Sequence, residues 1–126
     1  MKQWLVDRLL PVFIGLSGGF SVLFGAWLSH RGSLLSQDAL SNVSTALEYQ
    51  FIHTVALLAT FVWYRHSPTK PLLLAMMFFC VGILGFCFSM YLKSILGYTF
   101  IGKLTPFGGI SLALAWFHLA FAGIRK

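Results

Sequence analysis

Charge is what this sequence has least of. Only 10% of its 126 residues are Asp, Glu, Lys or Arg, against roughly a quarter in soluble domains, while 58% are hydrophobic. That balance excludes a soluble globular domain and indicates an integral membrane protein. Linkers are missing as well: no composition shift divides the chain, so one membrane domain over 1–126 is predicted. Cysteine is scarce, and Cys80 and Cys87, seven apart in one apolar segment, would stand about 10 Å apart along a helix, too far for a disulfide. No HxxxH or CxxC spacing and no complete catalytic set is present, so no cofactor and no enzyme activity is expected. The net charge of +6 does not point to nucleic acid, because the nine Lys and Arg are scattered at the ends of apolar segments instead of gathered on one face.

What the sequence does have is long uncharged runs. Residues 9–29, 71–92 and 104–124 each carry no Asp, Glu, Lys or Arg and are long enough to cross a bilayer, which takes about 20 apolar residues. A fourth run, between Glu48 and Arg65, holds only 16 residues, so it must borrow from the preceding stretch or meet a locally thinner bilayer. Spans are predicted at about 9–29, 46–64, 71–92 and 104–124. The first is read as a retained helix, because its apolar run is too long for a signal peptide and no small-residue cleavage site follows. Residues 36–47 show Leu40, Val43 and Leu47 at helical spacing, with Ser36 placed to cap and Asp38 in the first turn. They are expected to form a short amphipathic helix on the membrane surface between spans one and two. The fold class is therefore all-α, an integral-membrane four-helix bundle with that surface helix.

Four spans put both termini on one side. Lys2, Arg8, Arg65, Lys70, Arg125 and Lys126 fall on the side of the termini and Arg31, Lys93 and Lys103 on the other, so the termini are expected to be cytoplasmic. Small residues at four-residue spacing mark packing seams: Ser17, Ser21, Gly25 and Ser29 on one face of the first span and Gly15 with Gly19 on a neighbouring one. Gly82, Gly85 and Ser89 do so in the third span, and Gly109 with Ala113 in the fourth. Such seams serve a bundle or an oligomer equally, which leaves the bilayer, a membrane-protein partner and a second copy of the chain as the expected partners.

Given this topology, four polar motifs fall at the outer ends of their helices: Gly25-Ala-Trp-Leu-Ser-His30, the stretch from Glu48 to His53, Ser89-Met-Tyr-Leu-Lys93 and Thr105-Pro-Phe-Gly-Gly109. Tyr49 and Gln50 share a helical face with His53. The plain account is that His53 and Gln50 bond across helices to hydroxyls such as those of Ser89 or Tyr91 and fasten the bundle. The alternative is a small-ligand, lipid or proton-handling site built on His30, Tyr49, Gln50 and His53, because intramembrane ionisable residues mark such functions. Less favoured is a metal site of His30, His53 and Glu48. Met76, Cys80, Cys87 and Met90 form a soft-ligand stripe, a composition that core filling also explains. Thr105 and Pro106 suit a helix start, with Thr105 as cap, where Lys103 and the helix N-terminus could hold a lipid phosphate.

Taken together the motifs resemble those of domain-of-unknown-function family 423, the YgdD-like small inner-membrane proteins. Gly25-Ala-Trp-Leu-Ser-His30 is similar to a GAFGAH-type signature, Thr45-Ala-Leu-Glu-Tyr-Gln-Phe-Ile-His53 to TGxxYQxxH, and Phe86-Cys-Phe-Ser-Met-Tyr91 to FSGSLY. Thr105-Pro-Phe-Gly-Gly109, followed by Trp116, matches TPxGG…GW. The resemblance implies a four-span protein of the bacterial inner membrane with no established activity. Its motif positions map to His30, Tyr49, Gln50, His53, Ser89, Tyr91, Thr105, Pro106, Gly108 and Gly109. The chain departs from the signatures at Leu28-Ser29, in place of Gly-Ala, and at Cys87-Phe88, in place of Ser-Gly.

Overall fold

Apolar runs with their polar backbone groups sealed inside helices are the expected response to a bilayer, and the described chain is built that way. The computed structural model describes residues 3–124. The first helix, α1 (Gln3–Arg31), turns through a short 3-10 segment (Gly32–Leu34) into α2 (Gln37–His66). A third rod runs as α3 (Lys70–Gly82), a π-helical segment (Ile83–Phe88) and α4 (Ser89–Leu96). A 3-10 turn (Thr99–Leu104) then leads into α5 (Thr105–Ile124). Four rods are long and apolar enough to cross a membrane, and together they make an all-α membrane helical bundle.

Local chemistry sets the boundaries. Ser36 caps α2 by accepting from the Ala39 amide at 3.2 Å, and Asp38 sits in the first turn where the helix dipole favours an acid. Pro71 opens α3, where its missing N–H costs nothing. Gly97 ends α4 with φ at +77°, a left-handed turn that glycine adopts without a Cβ penalty. Pro11 lies inside α1.

Two expectations change here. Residues 36–47 are not a separate surface helix but the opening turns of the 30-residue α2. Glu48 interrupts the uncharged run, yet its exposed position on a helix about 45 Å long gives the backbone no reason to stop. Val43 and Ala46 are fully buried, so these turns belong to the bundle. The seams also shift. Ser17 and Ser21 are buried, but a Cβ at Gly15 or Gly19 would meet nothing within 4 Å, so that second face of α1 has no neighbour within the described chain. On α5 the buried seam runs through Gly108, Ser111, Leu112 and Ala115, while Gly109 is half-buried and Ala113 exposed.

Arg65 pairs with Asp7 at 2.7 Å, which sets the start of α1 beside the end of α2 and fixes one end of the bundle. From that end an apolar core of Val6, Ile14, Leu57, Tyr64, Leu72, Met76 and Phe79 rises towards Ile83 and Leu112. At the opposite end a smaller cluster of Val43, Ala46, Cys87 and Tyr91 closes the bundle. The four sequence motifs stand at this second end.

Candidate functional site: an intramembrane polar clasp

Burying an amide in the hydrocarbon layer is costly unless both its donor and its acceptor are met. Gln50, fully buried, meets both. Its Nε2 donates to Ser17 Oγ at 3.1 Å and to the Ser17 carbonyl at 3.3 Å, on α1. Its Oε1 accepts from the Tyr91 hydroxyl at 2.6 Å, on α4. One side chain of α2 therefore ties three rods together. Four residues on, Thr54 reaches the same seam, its hydroxyl 2.7 Å from Ser17 Oγ. Ser21 closes the set by donating to the Ser17 carbonyl at 2.8 Å. The Tyr91 ring is held edge-on by Phe24 at 5.0 Å and Phe88 at 5.6 Å, which fixes where its hydroxyl points.

A second set joins α4 to α5. Ser89 donates to the Phe86 carbonyl at 3.0 Å, and its oxygen stands 2.6 Å from Thr105 Oγ1. A serine has one proton, so with that proton spent on the carbonyl Thr105 is the donor of the pair. Beside it the backbones meet. A Cβ at Gly108 would stand 2.5 Å from the Gly85 carbonyl carbon and closer still to the Phe86 nitrogen, so only glycine lets α5 lie on the π segment. A Cβ at Gly82 would run into Leu112, and one at Gly85 would stand 3.3 Å from the Gly108 Cα. Ser111 donates to the Phe78 carbonyl at 2.8 Å, tying α5 to α3 by a further polar bond.

His53 occupies another setting. Its Nδ1 lies 2.7 Å from the Tyr49 carbonyl of its own helix, and since a carbonyl only accepts, Nδ1 carries the proton of that bond. The ring sits between Phe79 and Trp116, each at 5.9 Å, and Tyr49 stacks on Phe86 at 4.8 Å. The expected bond from His53 across to Ser89 or Tyr91 is not made: those hydroxyls are taken by Thr105 and Gln50.

The motif residues are thus divided. Gln50 with Tyr91, and Ser89 with Thr105, come together as pairs, and Gly108 faces the Phe86 backbone. Pro106 is exposed and Gly109 is half-buried, where a Cβ would touch the Phe86 ring at 3.7 Å. His30 is exposed on α1. Glu48 lines a groove with Gly25, Ser29, Ser44 and Phe51, between α1 and α2. Five residues apart on α2, Glu48 and His53 point about 140° away from each other, so His30, His53 and Glu48 do not form a metal-binding set. Among the described residues no group of three or more His, Cys, Asp or Glu comes together. Thr105 starts α5 without acting as its cap. Its amide donates to the Gly102 carbonyl of the preceding 3-10 turn, and its hydroxyl bonds Ser89 in place of capping the helix. Ser17 and Thr54 carry the clasp although neither belongs to the four sequence motifs. Thr54, one turn below Gln50, had a sequence signal, whereas Ser17 had only its place in a small-residue seam.

With this geometry in view, comparison with known proteins places the motif end inside a recognised sequence pattern. A family model described as "Protein of unknown function (DUF423)" matches residues 24–109, a stretch that contains all four motifs. A UPF0382 membrane protein of Haemophilus influenzae is 35% identical over 114 residues, covering 90% of this chain and 91% of that protein. The UPF0382 inner membrane protein YgdD of Escherichia coli K12 is 25% identical over 122 residues, covering 96% and 93%. No solved structure matches.

Proposed function

Because the chain belongs to the DUF423 family of proteins of unknown function, we propose that it is a structural or assembly component of the bacterial inner membrane, with both termini cytoplasmic. The location follows the name of the Escherichia coli relative, an inner membrane protein. The orientation rests on the six-to-three distribution of Lys and Arg between the two sides. The role rests on one observation: Gln50 directs both its amide donor and its amide acceptor to other helices, α1 and α4. A side chain used that way holds helices in register, and Gln50, Tyr91, Ser89, Thr105 and Gly108 among the motif residues serve that fastening. On this reading the partners are the bilayer and other membrane proteins, a second copy included.

Thermal unfolding in detergent tests the fastening role. Gln50→Ala is expected to lower the melting temperature while no small molecule is lost from the purified protein. An unchanged melting temperature with loss of a co-purifying small molecule would turn the reading into a ligand site, and His53→Ala provides the same contrast at the neighbouring ring. Alkaline phosphatase fused after Lys126 should be inactive, and an active fusion would reverse the orientation.

A further inference from the structure

Running down from the end opposite the clasp, α3 lies between two apolar grooves. One, of about 370 Å³, runs between α3 and α5 and is lined by Leu74, Phe78, Ile110 and Leu114. The other, of about 270 Å³, runs between α3 and α1 and is lined by Leu5, Leu9, Leu73 and Cys80. Met77 and Val81 border both, and at 43% and 58% exposed they stand up as a ridge with a groove on either side. Lys70 lies seven and eleven residues before them, a spacing that keeps all three on one helical face, so it heads the ridge. By helix rise the α3 lining of the grooves begins about one turn below Lys70 and ends about 16 Å below it, and on α5 the lining of the first groove reaches Phe107. That depth is about half of a 30 Å hydrocarbon core, or one leaflet.

The charge at the head of the ridge is unbalanced. Lys70 is the first residue of α3, no acidic residue lies in that first turn, and the helix dipole adds further positive potential there. Asp7, the acidic residue of this end among those described, is paired with Arg65, and the exposed Arg8 adds a further cation. An anion from outside the protein would complete the site.

We propose that this face binds one anionic glycerophospholipid, its phosphate at Lys70 and one acyl chain in each groove astride Met77 and Val81. Native mass spectrometry of the full chain released from detergent, with equal amounts of phosphatidylglycerol and phosphatidylcholine of the same acyl chains, tests it. Phosphatidylglycerol should be retained about fivefold over phosphatidylcholine, the factor one interfacial cation supplies. Lys70→Gln should bring that ratio close to one at an unchanged melting temperature. Ile110→Trp, which fills the α5 groove from an exposed position, should lower retention of both lipids and leave their ratio alone. Equal retention by the unmodified protein overturns the proposal, as does a preference that survives Lys70→Gln. A dimer that Ile110→Trp dissociates would make a second copy the occupant instead.

Discussion

The two halves of this bundle are held in different ways. Around Asp7, Arg65 and Phe79 the rods meet through side-chain volume, with an exposed ion pair at the rim. Around Gln50, Ser89 and Gly108 they meet through hydrogen bonds of fixed length and through backbone lying on backbone. In a bilayer there is little hydrophobic drive between helices, so close approach and polar bonds decide geometry. Volume tolerates exchange of one apolar residue for another, and a seam without Cβ atoms does not.

The sharpest way to break the comparison is Gly108→Ala. Its methyl has no room against the backbone of Gly85 and Phe86, and we expect a loss of about 3 kcal/mol or more, read as a collapse of the melting transition in detergent. Gly15→Ala, with nothing within 4 Å, is its control and should leave the transition in place. Next comes Gln50→Leu, which strands the Tyr91 hydroxyl and should cost roughly 2 kcal/mol. Combining it with Tyr91→Phe should cost less than the two changes added, because both remove one bond. On the apolar side Met76→Leu, a volume-conserving swap at a fully buried position, is expected to stay below about 1.5 kcal/mol. Asp7→Asn should be the mildest, within about 0.5 kcal/mol, and less still in high salt. If Met76→Leu outweighed Gly108→Ala in the same unfolding assay, the contrast between the halves would be wrong.

The four rods were legible because uncharged runs leave a chain few other choices, and the Ser36 cap because serine before a periodic apolar stretch has one main use. The convergence of the motifs at one end followed from their order along the chain. The continuity of α2 was not legible, since hydropathy registers Glu48 as a break while a backbone in helix does not. Nor was the choice of Gln50 over His53. Helical spacing shows which residues neighbour each other on one helix but not which side of that helix meets the next one. Thr105-Pro106 reads as a capped start, and only the 3-10 turn before it frees the threonine hydroxyl for Ser89. The π segment has no marker beyond its neighbouring glycines.

That segment acts on register. Within Ile83–Phe88 the bonds run from i to i+5, so the helix takes up roughly one residue more per turn than an α-helix of the same course. Everything after it is rotated relative to everything before it. Shortening the segment by one residue would return Tyr91 to uninterrupted α-helical phase and swing its hydroxyl by about 100° around the rod axis, out of reach of Gln50. The third span thus carries two address systems on one stem: residues up to Gly82 are aimed by one phase and those from Ser89 by another, and the single inserted step between them is what lets the same rod serve the apolar half and the clasp.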